Sequence, residues 1–455
     1  MCAAGFQAMG IRKMSIQQDY QRHIQGILEM YRSLMSEQNI GCLVIPSGIP
    51  AYQFLDDNAY PYKVNVHFKA LVPLTNVPKS YILIRPEGKP QLFYYQPVDY
   101  WHVVPETPND FWVESFDVEL VSEADAWQKA LPANAESLVW MGPIEPAVEA
   151  LGIRRVNPEE LLNPIHYRRA IKTDYEITLL REAALLGAKG HRAAEQAFRD
   201  GGSEQQIHLA YLAAVGCKET ELPYTNIIGL NQHAAILHYT DLSTQKISGD
   251  ERKSFLIDAG ADYRGYYSDI TRTYAYHDDE FATLCAEFDD LQLAIVDELK
   301  PGQSYVEMHI QTHYKIAEFM IRHGFLTGSV DGLVEQGVIR HFFPHGLGHF
   351  IGLQVHDIGG HQATASGGTQ APPEQHPFLR LTRELEAGHV VTIEPGMYFI
   401  DILLKELKKT DGAKQVNWDK VEAFKPYGGI RIEDDVLVTE TGHENLSREA
   451  FKQLG

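Results

Sequence analysis

Three strand-like stretches in the second half of the chain run straight into a carboxylate, Phe255-Leu-Ile-Asp258, Val390-Val-Thr-Ile-Glu394 and Ile430-Arg-Ile-Glu433, and another, Ile270-Thr-Arg-Thr, rich in β-branched residues, starts from Asp269. Strands that end in acids at several separate places are costly to fold unless the acids converge on cations. Asp258 and Asp269 flank a Gly-containing turn set among β-branched and aromatic residues, which predicts a hairpin that brings two carboxylates side by side. Pro395 and Gly396 stop the Val390 run, so Glu394 belongs at a strand end. If the segment around Ile430 is a strand, Arg431 and Glu433 share one face and Ile430 and Ile432 the other. In Pro344-His-Gly-Leu-Gly-His349 the glycines make a helix unfavourable and predict a loop whose backbone comes close to the site.

Asp258, Asp269, His349, Glu394 and Glu433 form an oxygen-rich donor set, suited to hard divalent ions such as manganese rather than to structural zinc. Carboxylates also bridge. Two ions roughly 3.5–4 Å apart supply a nucleophile at neutral pH and clamp a developing oxyanion, which is how dinuclear hydrolases work. Taken singly, each acid reads more often as a turn residue, a cap or half of an ion pair. In their contexts together they predict a metal centre.

The motifs Asp258-Ala-Gly, Asp269-Ile-Thr-Arg, Pro344-His-Gly-Leu-Gly-His349, Ile393-Glu-Pro-Gly396 and Gly429-Ile-Arg-Ile-Glu433 resemble those of the metal-dependent "pita-bread" peptidases: prolidase, aminopeptidase P and methionine aminopeptidase. The N-terminal half, with Phe54-Leu-Asp-Asp-Asn-Ala-Tyr-Pro and Gln96-Pro-Val-Asp-Tyr-Trp-His, is similar to the bacterial Xaa-Pro dipeptidases, including the relatives known as organophosphorus acid anhydrolases. The resemblance runs from about residue 17 onward, and no position of the five-ligand set departs from it. It implies an α+β pita-bread catalytic domain, residues 174–455, preceded by a smaller α/β creatinase/prolidase-like N-terminal domain, residues 1–173. It implies two divalent metal ions per subunit, most suitably Mn2+: Asp258 and Asp269 hold one, His349 and Glu394 the other, and Asp269 and Glu433 bridge. Glu394 is then also the group that takes up and returns a proton, with His345 and His356 as donors to the developing oxyanion.

The resemblance further matches Tyr224, Leu237, His238, Tyr305, Val355 and Leu379 to substrate-pocket positions, and Asp57 to an acid that reaches the site from the other subunit of a homodimer. From the residues alone, His238 and His356 read equally as hydrogen-bonded core or surface histidines, and the others as ordinary core. Arg431 has two readings of equal weight, a bidentate grip on a substrate carboxylate or a structural salt bridge to Glu433 or Asp434. The expected activity is hydrolysis of Xaa-Pro dipeptides, with a side activity on organophosphorus triesters and fluoridates. The alternatives are a protein that is primarily an organophosphorus acid anhydrolase and, more remotely, a non-catalytic or metal-free pita-bread protein.

A chain of 455 residues exceeds one ordinary core, so two domains are expected. With 40 basic against 61 acidic residues and a net charge of −21, it repels phosphate backbones and anionic bilayers, which leaves nucleic acid and membrane as poor partners. The four cysteines show no paired or metal-type spacing, as in a reducing cytoplasm, and no disulfide is expected. Residues 1–14 read as a loose extension. Helices are predicted at residues 16–38, from the capping box Thr173-Asp-Tyr-Glu176, at 204–215, at 287–300, and from a second box Ser304-Tyr-Val-Glu307; strands at 41–46, 80–84 and 91–95. The pair His309 and His313 has the spacing of a zincin helix, but Ile310 replaces the glutamate base, so the segment reads as a plain amphipathic helix.

Overall fold

A computed structural model describes the backbone of residues 2–455 and the side chains from Ile16 onward. The chain divides into two compact units: Met1–Arg169 with Thr173–Thr178 and Thr364–Gly367, and Ala170–Lys172 with Leu179–Ala363 and Gly368–Gly455.

The first unit opens with helix α1 (Cys2–Glu37), which continues through the segment that the sequence suggests is a loose extension; the side chains there lie outside the described residues. Tyr20, Ile24 and Tyr31 of its apolar stripe are buried. Six strands, β1 (Cys42–Pro46), β2 (Tyr81–Ile84), β3 (Gln91–Tyr95), β4 (Asp117–Val121), β5 (Leu138–Trp140) and β6 (Arg155–Val156), form one mixed sheet in the order β4-β3-β2-β1-β5-β6. β1 and β2 are buried at every position, as expected for unbroken apolar runs such as Cys-Leu-Val-Ile. Helix α2 (Glu159–Arg169) follows, completing an α/β unit. Its surface carries large apolar side chains in two segments, Phe54 and Leu55 at 89 % and 91 % exposure and Val98 and Val103 at 96 % and 97 %.

Helix α3 (Asp174–Arg199) starts from the predicted capping box: the Glu176 carboxylate accepts the Thr173 N–H at 2.9 Å, and the Thr173 hydroxyl accepts the Glu176 N–H at 3.4 Å. α4 (Glu204–Val215) matches its expected span and ends on Gly216 at φ 77°, the left-handed cap that glycine adopts without a Cβ penalty. The next helix differs from expectation. α5 spans Glu280–Val296 because the Asp279 carboxylate caps the Phe281 and Ala282 N–H groups, starting the helix one residue after that acid. In α6 (Tyr305–Arg322) the Ser304 hydroxyl caps Glu307 at 3.3 Å, while the Glu307 carboxylate accepts from Gln311 at 2.7 Å instead of reaching back.

The strands of the second unit form short ladders. β7 (Ile227–Leu230), β8 (Ser254–Ala259) and β9 (Ile270–Ala275) make one, in the order β9-β8-β7. β10 (Val390–Ile393) pairs with β13 (Asp434–Val438), which pairs with β14 (His443–Asn445); β11 (Gly396–Tyr398) pairs with β12 (Gly429–Arg431). The registers decide the site. Thr271 faces Asp258, Ile393 faces Asp434, Gly396 faces Arg431, and an isolated bridge joins Thr271 to Glu433. The final helix, α7 (Leu446–Leu454), is capped by the Asn445 side chain. Among the described cysteines Cys42, Cys217 and Cys285 are free; the Cys2 side chain lies outside the described residues.

His389, 0 % exposed, shows how burial couples this unit to pH. Its Nδ1 accepts the Glu386 N–H at 3.1 Å, and burial, with the charges of Arg383 and Lys172, pushes its pKa down to about 3. The unfolded chain takes up a proton near pH 6.5 that the folded chain refuses, so this stability is complete above that pH and is lost as pH falls toward 3, at about 1.4 kcal/mol per unit. Denaturation at pH 7 and pH 5 should therefore show a drop that His389→Gln reduces by about 1–2 kcal/mol. An unchanged drop would remove His389 from the account.

Candidate metal centre

The acids of the predicted set lie at or next to strand ends. Asp258 is the penultimate residue of β8, Asp269 precedes β9, Glu394 follows β10, and Glu433 lies between β12 and β13. Asp269, His349 and Glu433 are buried, and one ligand atom from each lies within 4.8 Å of the others. His349 is set by its backbone, whose N–H donates to Thr392 Oγ1 at 3.1 Å. Its Nδ1–H donates to the Phe350 carbonyl at 2.9 Å, so Nε2 faces Asp269 Oδ2 at 3.6 Å and Glu394 Oε1 at 3.9 Å. The loop needs Gly348, because a Cβ there would collide with the Thr392 carbonyl and the Tyr305 hydroxyl.

Neighbouring donors fix the carboxylates. The Tyr224 hydroxyl donates to Asp258 Oδ1 at 2.7 Å and also contacts Asp269 Oδ1. The Thr271 hydroxyl donates to Glu433 Oε2 at 2.7 Å. The Asp269 N–H donates to Asp435 Oδ2 at 3.0 Å. Arg431 shares a buried face with Glu433, but its ion pair is with Asp258, 2.7 Å from Nη2 to Oδ2, rather than with either expected acid. Its Nη1 donates to the Tyr398 hydroxyl at 2.9 Å and its Nε to Thr271 Oγ1 at 3.3 Å. The relay extends to His345, whose Nε2 accepts from Tyr398 at 2.8 Å while its Nδ1–H donates to the Gly346 carbonyl at 2.8 Å. Both ring nitrogens of His345 are thus engaged, and burial followed by the Arg431 charge lowers its pKa to about 3, so it stands neutral.

The buried acids are costly to ionise without cations. Burial raises the carboxyl pKa of Asp258, lifts Glu394 to about 7 and pushes Glu433 well up, the last also through Asp269 and Glu394. For Asp269 burial is outweighed by His349 beside it and the Tyr224 hydroxyl, and its carboxyl is held down. These acids face the Arg431 guanidinium and the His349 imidazole, which Asp269 and Glu394 draw toward its charged form against burial, and the donor atoms are the hard oxygens and single imidazole that divalent ions accept.

Other expected residues are placed less uniformly. His356 stands perpendicular to His349 with ring centroids 4.5 Å apart, its own ring exposed. Tyr305 is fully buried and donates to the Thr392 carbonyl at 2.7 Å; Leu379 is buried, with its Cα close to Gly346. Leu237 and Val355 are half-buried, His238 is exposed, and Asp57 is exposed on the first unit. Sequence reasoning missed Thr271, Tyr398 and Asp435. Only Asp435 left a signal, as an acid inside the apolar run Asp-Asp-Val-Leu-Val.

A pita-bread catalytic unit with an acid-rich centre at its strand ends defines a metal-dependent hydrolase. Residues 18–167 match the family model "Xaa-Pro dipeptidase, N-terminal domain" and residues 178–440 match "Metallopeptidase family M24". The chain is 47 % identical over 429 residues to the Xaa-Pro dipeptidase of Shewanella pealeana, covering 94 % of this chain and 97 % of that one. It is 47 % identical over 436 residues to that of Aeromonas hydrophila, covering 96 % and 99 %. Among solved structures, Escherichia coli aminopeptidase P with the inhibitor Pro-Leu shares the fold at a TM-score of 0.70 and 23 % identity, over 95 % of each chain. The chain belongs to metallopeptidase family M24, within its Xaa-Pro dipeptidase branch, and is a hydrolase. That family implies divalent metal ions.

Asp269→Asn keeps the shape and removes one charge, so the metal content of the purified variant should fall and hydrolysis should drop by orders of magnitude. Full activity with reduced charge would sink the dinuclear reading.

Proposed function

We propose that this chain is a dinuclear dipeptidase that cleaves Xaa-Pro dipeptides. The observation that supports it is the grouping of Asp269, His349 and Glu433, with one ligand atom of each within 4.8 Å of the others, Glu394 3.9 Å from His349 and Asp258 joined to Asp269 through the Tyr224 hydroxyl. The relatives that match almost end to end are named Xaa-Pro dipeptidases. Asp258, Asp269, His349, Glu394 and Glu433 would hold the two divalent ions, best Mn2+ for this donor set, which when bound would supply the nucleophile and polarise the scissile carbonyl.

The chain's own groups do the rest. Glu394, at the end of β10, takes a proton from the nucleophile and returns it to the prolyl nitrogen. His356, exposed beside His349, donates to the developing oxyanion, while His345 holds Tyr398 and through it Arg431. Tyr224 orients two carboxylates, and Leu237, His238, Tyr305, Val355 and Leu379 line or support the substrate pocket. The guanidinium of Arg431 has N–H groups beyond those bound to Asp258, Tyr398 and Thr271, and these grip the substrate carboxylate. No described helix is long and apolar enough to cross a membrane. The acidic charge and scattered cysteines support a cytoplasmic location.

Amidating an Xaa-Pro dipeptide removes the anionic partner of Arg431 and costs roughly 2–5 kcal/mol, so catalytic efficiency should fall at least about tenfold. Arg431→Lys cannot reproduce the planar fork and should bring the acid-to-amide ratio toward one. Equal cleavage of acid and amide by the unaltered enzyme would end the carboxylate role. A phosphotriester centre resembles the tetrahedral intermediate of amide attack, so organophosphorus triesters are a side activity, with turnover less sensitive to Arg431. Activity that survives exhaustive chelation would point to a metal-free mechanism.

A homodimer completes the reading. Asp57 lies near the exposed Phe54 and Leu55, an apolar surface of the kind subunits cover, and from the partner it would meet the substrate ammonium. Asp57→Ala should raise KM without changing thermal stability, and sedimentation should give a dimer; a fully active monomer would remove this role.

A further inference from the structure

The sequence dismisses His309 and His313 as a zincin pair, and the structure adds a third imidazole to them. Both lie one turn apart on α6 and are 1 % exposed. His376, half-buried on a distant loop, comes to them with its Nδ1 2.9 Å from His309 Nε2, and His313 Nε2 is 3.3 Å from the same atom. One ring nitrogen from each residue lies within 4.8 Å of the others. The rings are mutually inclined, His309 standing at 85° to His313 and 87° to His376, so nitrogen edges meet instead of stacked faces.

Hydrogen bonding among neutral imidazoles explains this poorly. A ring nitrogen offers along its axis either one N–H or one lone pair, so His309 Nε2 cannot serve both neighbours well. The spacing fits a shared cation better, since tetrahedral nitrogens about 2.0–2.1 Å from zinc are about 3.3–3.4 Å apart. His309 and His313 are both 1 % exposed, and a cation would take their ring nitrogens as neutral imidazoles. His309 and His376 also line a cavity of about 300 Å³ with Arg340, His345 and Glu374, which leaves room for a fourth ligand.

We propose that His309, His313 and His376 form a separate site for a borderline divalent transition metal, zinc foremost, distinct from the acid-rich centre. Three nitrogens and no carboxylate favour zinc, cobalt, nickel or copper over manganese or calcium. A bound ion joins α6 to the loop at His376, three residues before Leu379, which packs against the His345–His349 loop backbone at Gly346. The ion therefore stabilises the folded state by mass action.

The test uses Co2+ and Zn2+ added to the full-length enzyme after metal removal, with bound metal counted by elemental analysis. Wild type should bind one equivalent per chain more than His376→Ala or His313→Gln, show an additional tetrahedral Co2+ absorption band, and gain a thermal stabilisation by zinc that both variants lack. His376 is half-buried on a loop, so His376→Ala decides alone should His313→Gln fail to fold. Counting against the variant keeps the result independent of the acid-rich centre. Equal stoichiometry, spectrum and zinc-induced stabilisation in wild type and His376→Ala would overturn the proposal.

Discussion

Repulsion among buried carboxylates is the constraint around which the second unit is built. Burial raises the Glu433 carboxyl pKa, and Asp269, Glu394 and Asp258 each raise it further, while the Arg431 guanidinium pairs with Asp258. Placing the acids at or next to strand ends confines the cost. There a carboxylate leaves the ladder intact, and hydroxyl or backbone donors reach it without breaking a main-chain bond. Thr271 illustrates this economy: its backbone pairs with Glu433 and its hydroxyl donates to the Glu433 carboxylate, so one residue fixes both the strand crossing and the ligand.

The same constraint explains why Arg431 is paired with Asp258. Turned toward Asp258, the arginine leaves the Glu433 carboxylate to the Thr271 hydroxyl. The guanidinium then becomes the first link of a chain through Tyr398 to His345 and the Gly346 carbonyl. The guanidinium is planar and held on three sides, by Asp258, Tyr398 and Thr271.

Local chemistry was readable in the sequence wherever one segment fixes its own conformation. The strand-end acids, the α3 capping box and the glycine-held His349 loop are of that kind, and each stands where its residues predicted. The misses depend on distant partners or on competing local ones. The α5 start moved because Asp279 outcompetes the later apolar pattern as a helix signal. Glu307 has a partner within its own helix in Gln311 and so completes only half a capping box. Tyr398 and Thr271 are invisible because a tyrosine and a threonine in a strand are ordinary until register puts their hydroxyls opposite a charge.

His309 and His313 carry that lesson furthest. Judged by the motif they resemble, the missing glutamate excludes a catalytic zincin, and nothing in either residue names a third ligand. The third is His376, 67 positions away and set against them by a loop with no regular structure. Two donor chemistries then coexist in one unit. Carboxylates that repel one another demand a cation of any available kind, and the hard oxygens decide which ions suit. Neutral imidazoles repel nothing, demand nothing, and select by softness alone. A chain carrying both can hold a hard ion where hydrolysis needs it and a borderline ion where packing needs it, with donor type rather than affinity keeping the two apart.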